Sequence, residues 1–168
     1  MKDLIYCQRD IPKDRWRYGL RSSAATGCGW IAVYNALRLM GYKVSPERLI
    51  KYFETMVPFV HGNAGTFVLA PAMFFRRQGF FVNTTRNRAK FNEIAKQSDV
   101  CILYFWWRKK FKIGAHFVAV RYNGHGFVGY NTYRRSKGPD YLGTDIDSFL
   151  KNKGYFGAML TGIRDRNK

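Results

Sequence analysis

Acidic residues are scarce in this chain: 11 Asp and Glu stand against 29 Lys and Arg in 168 residues, giving a formal charge of +18 at neutral pH. Such a balance sets up a long-range field that draws polyanions and anionic surfaces, and it carries no information about fold. The basic residues are dispersed through RDIPKDRWRYGLR, FFRRQG, WWRKKFK, YRRSK and RDRNK, with no helix-periodic stripe among them. Nucleic acid or an acidic protein is the partner class that the charge implies. Cysteine is also sparse. Cys7, Cys28 and Cys101 form no CxxC and no ligand spacing with His61, His116 or His125. That pattern argues against a structural zinc site, and neither a metal nor another cofactor is expected. Three thiols leave at least one unpaired, and a reducing compartment is the simpler setting. Long apolar runs are missing as well; the longest, Val100 to Trp107, is too short to cross a bilayer. The opening MKDLIYCQRDIPKDRW has no sustained apolar stretch of the secretory kind. The expectation is therefore a cytoplasmic protein without a membrane span. No repeat, linker or compositional break divides the chain, so a single domain over residues 1–168 is expected.

What is abundant is apolar and aromatic: 46% hydrophobic residues, with 14 Phe, 11 Tyr and 4 Trp. That composition belongs to a folded domain with a real core. The N-terminal half reads as helices: TGCGWIAVYNALRLMG, then SPERLIKYFETM with Ser45 as cap and Pro46 at the first helical position, then FVLAPAMFFRRQG and RAKFNEIAKQ. The C-terminal half reads as strands: FFVNT, VCILYFWW, HFVAVRY, GFVGYNTY and YFGAMLTGI. Helices first and hairpin-linked strands later predict an α+β fold with an antiparallel sheet.

The first helix poses a chemical question. From Trp30 to Met40 only Asn35 and Arg38 are polar, so the helix is expected to be buried on most sides. Thr26 is the expected N-cap, which puts Cys28 in the first turn, where unpaired N–H groups and the positive end of the helix dipole favour thiolate over thiol. Gly27 and Gly29 would leave the sulfur uncovered and let a substrate backbone approach. A cysteine so placed needs a base before it can be called a nucleophile. The segment GAHFVAVRYNGHGFVGYNTY supplies one. Asn123-Gly124 between two apolar runs predicts a two-residue type I′ hairpin turn. In that register His116 faces Asn131 directly, with Cβ atoms about 4.5–5.5 Å apart. A carboxamide at that distance can hold an imidazole in one orientation, and Cys, His and Asn together make a thiol-hydrolase triad. His125 belongs to the turn, and His61 to a loop.

With these residues in view, the chain resembles the papain-like cysteine peptidases related to the bacteriocin leader, or double-glycine, peptidases. YCQRDIPKDRWRYG and SSAATGCGWIAVYNALRLMG are similar to the opening of that family, and GAHFVAVRYNGHGFVGYN to its Gly-His strand and hairpin. The resemblance implies a papain-like fold, with N-terminal helices around the nucleophile helix packed on a C-terminal antiparallel sheet. It implies Cys28 as nucleophile, His116 as general base and acid, Asn131 as the orienting group, and Gln8 as oxyanion donor beside the Cys28 N–H. Ser22 occupies the position nearer to the cysteine that other papain-like enzymes use for the oxyanion side chain. The family commonly has Gly-Pro after the cysteine and Asp-Pro at the third position; this chain has Gly29-Trp30 and Asn131-Thr132. Trp30, Trp106 and Trp107 are candidate cleft walls, and Trp30 and Gly114 are assigned to substrate binding. The function so implied is hydrolysis of a peptide or amide bond through an acyl-thioester on Cys28, with a peptide or protein as substrate. Two alternatives use the same sequence: an acyl transferase or transpeptidase with the same triad, and an inactive basic module binding nucleic acid or acidic partners through segments such as FWWRKKFK.

Overall fold

The computed structural model describes residues 4–56, 65–109 and 112–166. Its centre is helix α2 (Cys28–Leu39), in which Trp30, Ile31, Ala32, Val33 and Ala36 are wholly buried. Asn35, the one uncharged polar residue of this helix, is buried too, and its carboxamide explains why. Asn35 Oδ1 accepts the Ile5 N–H at 2.9 Å, and Asn35 Nδ2 donates to the Ile5 carbonyl at 2.8 Å. The side chain thus pairs with an extended backbone as a neighbouring strand would, which satisfies a polar group that would otherwise be costly to bury. One consequence is positional: the N-terminal segment is pinned along α2 and carries Gln8 toward the Cys28 end.

Helix α1 (Ser23–Thr26) runs almost directly into α2, with Gly27 between them. Gly27 occupies the N-cap position of α2, not Thr26, whose hydroxyl is buried and without a hydrogen-bond partner among the described residues. Ahead of it lies a small hairpin of β1 (Arg17–Tyr18) and β2 (Arg21–Ser22). Helices α3 (Pro46–Met56) and α4 (Ala70–Arg77) complete the helical layer.

A six-stranded sheet follows: β3 (Phe81–Thr85), β4 (Val100–Lys109), β5 (Lys112–Tyr122), β6 (Phe127–Tyr130), β7 (Asp140–Gly143) and β8 (Gly157–Arg164), in spatial order β3-β8-β4-β5-β6-β7. Every neighbouring pair is antiparallel. Strand alternation divides the core in two. Ile102, Phe117 and Ala119 pack against the helical layer, whereas Cys101, Leu103, Phe105, Val118 and Val120 point to the opposite face. That face is covered by α5 (Phe91–Lys96) and α6 (Ile146–Asn152), a second helical layer. The α+β class and the antiparallel sheet are as the sequence implies. Strand β7 and helix α6 have no counterpart in the sequence reading, although the Asp145 carboxylate caps the Ser148 N–H at the start of α6.

The β5–β6 hairpin differs from its expected register. Tyr122 pairs with Phe127 rather than with His125, so the loop holds four residues, Asn123 to Gly126. The cause is local: Asn123 Oδ1 accepts the N–H groups of both His125 and Gly126, each at 3.0 Å. An asparagine that satisfies backbone donors two and three residues on stabilises its own wider turn in place of the tight one. The slip is two residues, an even number, so the faces of the strands are preserved.

Candidate active site

Cys28 opens α2 half-buried, beside β5. The backbone N–H groups of Phe117, Gly29 and Cys28 itself face its sulfur, and each favours the thiolate. Burial outweighs them and pushes the thiol above its ordinary range. This corrects the expectation of a thiolate stabilised by the helix start: desolvation of a charge in a packed site is the larger effect. The two flanking glycines also have another cause than substrate access. A Cβ on Gly27 would lie 2.6 Å from the Ser23 carbonyl oxygen and 2.6 Å from Trp30 Nε1. One on Gly29 would lie 2.1 Å from Thr66 Oγ1. The protein itself fills the space that a side chain would need.

Phe117, whose N–H reaches the sulfur, is the residue after His116. The contact therefore sets the histidine's strand position against the nucleophile's helix turn. The imidazole is half-buried, edge-on to Phe105 at 5.9 Å between ring centres. Its Nε2 lies 2.6 Å from the backbone carbonyl oxygen of Asn131. A carbonyl only accepts, so Nε2 carries the proton and Nδ1 presents its lone pair in the neutral ring. Burial holds the His116 pKa below the ordinary imidazole range, against the opposing effect of the Asn131 carbonyl. Among the described residues no hydrogen bond joins Cys28 to His116.

Asn131 reaches His116 by a different atom than the sequence reading assigned. Because the hairpin is wider by two residues, Tyr130 pairs with Ala119 and Asn131 leaves the ladder with φ 64°, a left-handed conformation that asparagine tolerates. The turn presents its carbonyl to the imidazole and sends its carboxamide to the N-terminal segment. Asn131 Oδ1 accepts the Gln8 N–H at 2.8 Å, and Asn131 Nδ2 donates to Gln8 Oε1 at 3.3 Å. Gln8 Nε2 in turn donates to the Ala24 carbonyl at 3.1 Å, just before the Cys28 turn. Hydrogen bonds thus run from His116 through Asn131 and Gln8 to the approach of the nucleophile helix. Ser22 precedes α1 and makes no capping bond with its side chain.

The candidate walls resolve differently. Trp30 is wholly buried, donates to Ser23 Oγ at 3.1 Å and packs edge-on against Trp16 and Tyr34. It supports the nucleophile turn from below and offers no surface to a substrate. Gly114 is covered by Trp107, whose ring would stand 2.4 Å from an added Cβ. Trp106 lies over Gly157 in the same way and meets Phe156 edge-on. Both are half-buried indoles laid across a cross-strand glycine. His61 lies outside the described residues, as do Lys110 and Phe111 of FWWRKKFK. Residues not singled out from sequence also approach the sulfur. Burial raises the pKa of Tyr18, to about 12, and that of Tyr104, and charge on Cys28 pushes both further in the same direction. The Tyr18 hydroxyl also bonds Thr66 Oγ1 at 3.0 Å. Tyr104 could have been found by register, since it pairs with Phe117; Tyr18 and Thr66 carried no signal. All three cysteines are free thiols, with Cys7 and Cys101 buried. Among the described residues there is no group of three or more potential metal ligands, and no helix is long and apolar enough to cross a membrane.

A helix opening on cysteine and packed against an antiparallel sheet that carries histidine is the papain-like peptidase fold. Among solved structures the chain is similar to the peptidase domain of Streptococcus ComA, a bi-functional ABC transporter involved in a quorum-sensing pathway. The two share 10% identity at a TM-score of 0.54, over 84% of this chain and 93% of that one. The likeness is therefore one of fold. No family model and no curated protein matches the chain.

Proposed function

We propose that the protein is a cysteine hydrolase that cleaves a peptide or amide bond through an acyl-thioester on Cys28, with His116 as its base. The observation that carries this reading is the Asn131 carbonyl 2.6 Å from His116 Nε2, on a strand whose next residue, Phe117, turns its N–H toward the Cys28 sulfur. The carbonyl fixes the tautomer whose Nδ1 can accept a proton, and the Phe117 N–H sets the histidine's strand against the thiol. With the thiol pushed up and the imidazole pushed down, the resting pair is neutral on both sides. Proton transfer to Nδ1 then accompanies attack of sulfur on the carbonyl carbon, rather than preceding it. The oxyanion that forms meets the first-turn N–H groups of Cys28 and Gly29. Gln8 spends one amide hydrogen on Ala24 and keeps a second for the same oxygen. His116 next gives its proton to the leaving amine as the C–N bond breaks. It takes a proton from water as the thioester is hydrolysed, and returns it to the sulfur.

The test is alkylation of the native protein by iodoacetamide or by the epoxide inhibitor of papain-like enzymes, read by mass spectrometry, alongside hydrolysis of a mixed peptide library. Cys7 and Cys101 are 4% and 1% exposed, so burial alone directs reagent to Cys28. The informative comparison is therefore His116→Ala, which is expected to slow Cys28 modification and abolish hydrolysis, as Cys28→Ser does. Unchanged Cys28 reactivity in His116→Ala would overturn the assignment of the base. Added hydroxylamine separates water from an amine as the acyl acceptor.

A further inference from the structure

The +18 charge plays no part in the chemistry above, and one surface concentrates it in a shaped form. Two adjoining open grooves lie at the C-terminal end of α2, roughly 15 Å along the helix axis from Cys28, and a third opens across the edge strand β3, on its α5 side. The first is lined by Arg38, Lys43 and Arg48. The second shares Lys43 and Val44 with it and adds Tyr42, Phe80 and Arg166. The third begins at the adjoining Phe81 and Arg164. Lys43, Arg48, Arg164 and Arg166 are exposed. One carboxylate lines this track. Asp165 is buried, accepts the Tyr42 hydroxyl at 2.5 Å, and its N–H donates to Asp99 at 2.7 Å. The negative end of α2 is muted here, because the N–H groups of Gly41 and Tyr42 cap the carbonyls of Arg38 and Leu37.

Flat groups stand among the cations. Phe81, on the edge strand β3, is 49% exposed, with the guanidinium groups of Arg164 and Arg166 over its ring at 5.3 and 4.6 Å. Tyr42 is 36% exposed and meets Phe80 edge-on at 5.4 Å. We propose that this track is a binding surface for single-stranded nucleic acid, with Lys43, Arg48, Arg164 and Arg166 on the phosphates and the Phe81–arginine stack receiving a base. A positive groove that follows a backbone, interleaved with rings, is what sequence-tolerant single-strand binding requires. A lipid surface would meet cations on a flat or convex face, and here they line concave ones. An acidic peptide would leave the rings unused, and a duplex keeps its bases stacked away from them. Nothing in this proposal depends on the cysteine chemistry.

The experiment is fluorescence anisotropy of short labelled oligouridylate and oligothymidylate over a salt series. Binding of either strand is expected, their ratio showing which sugar is preferred. The logarithm of affinity should fall against that of salt with a slope of about −0.7 for each phosphate neutralised, or roughly −3 for the four cations named. Lys43→Gln with Arg166→Gln should weaken binding about tenfold or more and flatten the slope by roughly 1.4. Phe81→Ala should cost about five- to tenfold with the slope unchanged. Melting temperature and Cys28 alkylation serve as controls for folding and are expected to stay at wild-type values. Equal affinity of the charge variants and the parent would overturn the proposal, since diffuse charge would then be responsible. Equally effective competition by duplex DNA, polyglutamate or anionic vesicles would do so too, as would absence of binding at low salt.

Discussion

Asn131 divides its work between backbone and side chain, and one substitution separates the two. Asn131→Gly keeps the left-handed φ of 64° without strain, and keeps the carbonyl that His116 Nε2 meets. It removes the carboxamide that grips Gln8. The 2.8 Å bond from the part-buried Gln8 N–H is accepted by the carboxamide of a residue only 1% exposed, and losing it costs about 1–2 kcal/mol. The 3.3 Å bond to Gln8 Oε1 adds about 0.5–1 kcal/mol. Glycine's freedom in the unfolded chain adds a further 0.5–1 kcal/mol, roughly. A loss of about 2–4 kcal/mol is expected, which for a domain of this size lowers Tm by roughly 5–15 °C. Thermal unfolding followed by circular dichroism reads that directly. Chemistry at Cys28 should survive: on folded protein below the melt, the alkylation rate should remain within about tenfold of wild type. In a serine triad, loss of correct steering of the histidine costs about ten-thousandfold in turnover. A collapse of Cys28 reactivity on that scale with an unchanged melt would refute the division, and would return the carboxamide to the imidazole.

Gly29→Ala should lower stability by about 1 kcal/mol or more, because the new Cβ meets Thr66 at 2.1 Å and overpacking outweighs a helix-propensity gain of about 1 kcal/mol; a raised Tm would contradict it. The pH profile of Cys28 alkylation should climb only through and beyond the ordinary thiol range near pH 8.5, roughly, since burial raises this thiol. A plateau of high reactivity starting at about pH 4 would instead mark a preformed thiolate–imidazolium pair. His116 has a lowered pKa in the folded state, so its contribution to stability is present above the unfolded value of about 6.5 and is lost as pH falls. His116→Phe should therefore flatten the acid side of a stability–pH curve measured in urea, and an unchanged slope would exclude this histidine as its source.

Local signals reported this fold well wherever the chain's own periodicity decided the outcome. The buried α2 helix, the Pro46 start of α3 and the strands from Val100 onward all follow from apolar spacing that a short window contains. The second helical layer did not announce itself in that way. Helix α6 has seven residues and owes its placement to contacts with β7 and α5, which lie outside any local window. The hairpin failed for a subtler reason. Asn-Gly is a strong two-residue turn signal, but the same asparagine can serve a longer turn by accepting from His125 and Gly126. Both outcomes use the same residues, and the balance lies in strand pairing beyond them.

The site was legible in part for the same reason. A slip of one residue would have turned His116 and Asn131 to opposite faces; a slip of two kept them together and changed only which atom of Asn131 arrives. Sequence spacing specifies which residues can meet, because the pleat repeats every two positions. It does not specify whether backbone or side chain makes the contact, because that depends on the φ adopted where the ladder ends. The surplus carboxamide is what couples the histidine turn to Gln8, and through Asn35 and Ile5 the N-terminal segment is itself fastened to the nucleophile helix. The two halves of the candidate site are thus held together by a stretch of chain that belongs to neither, so a change that loosens residues 4–8 from α2 should act at Cys28 and His116 together.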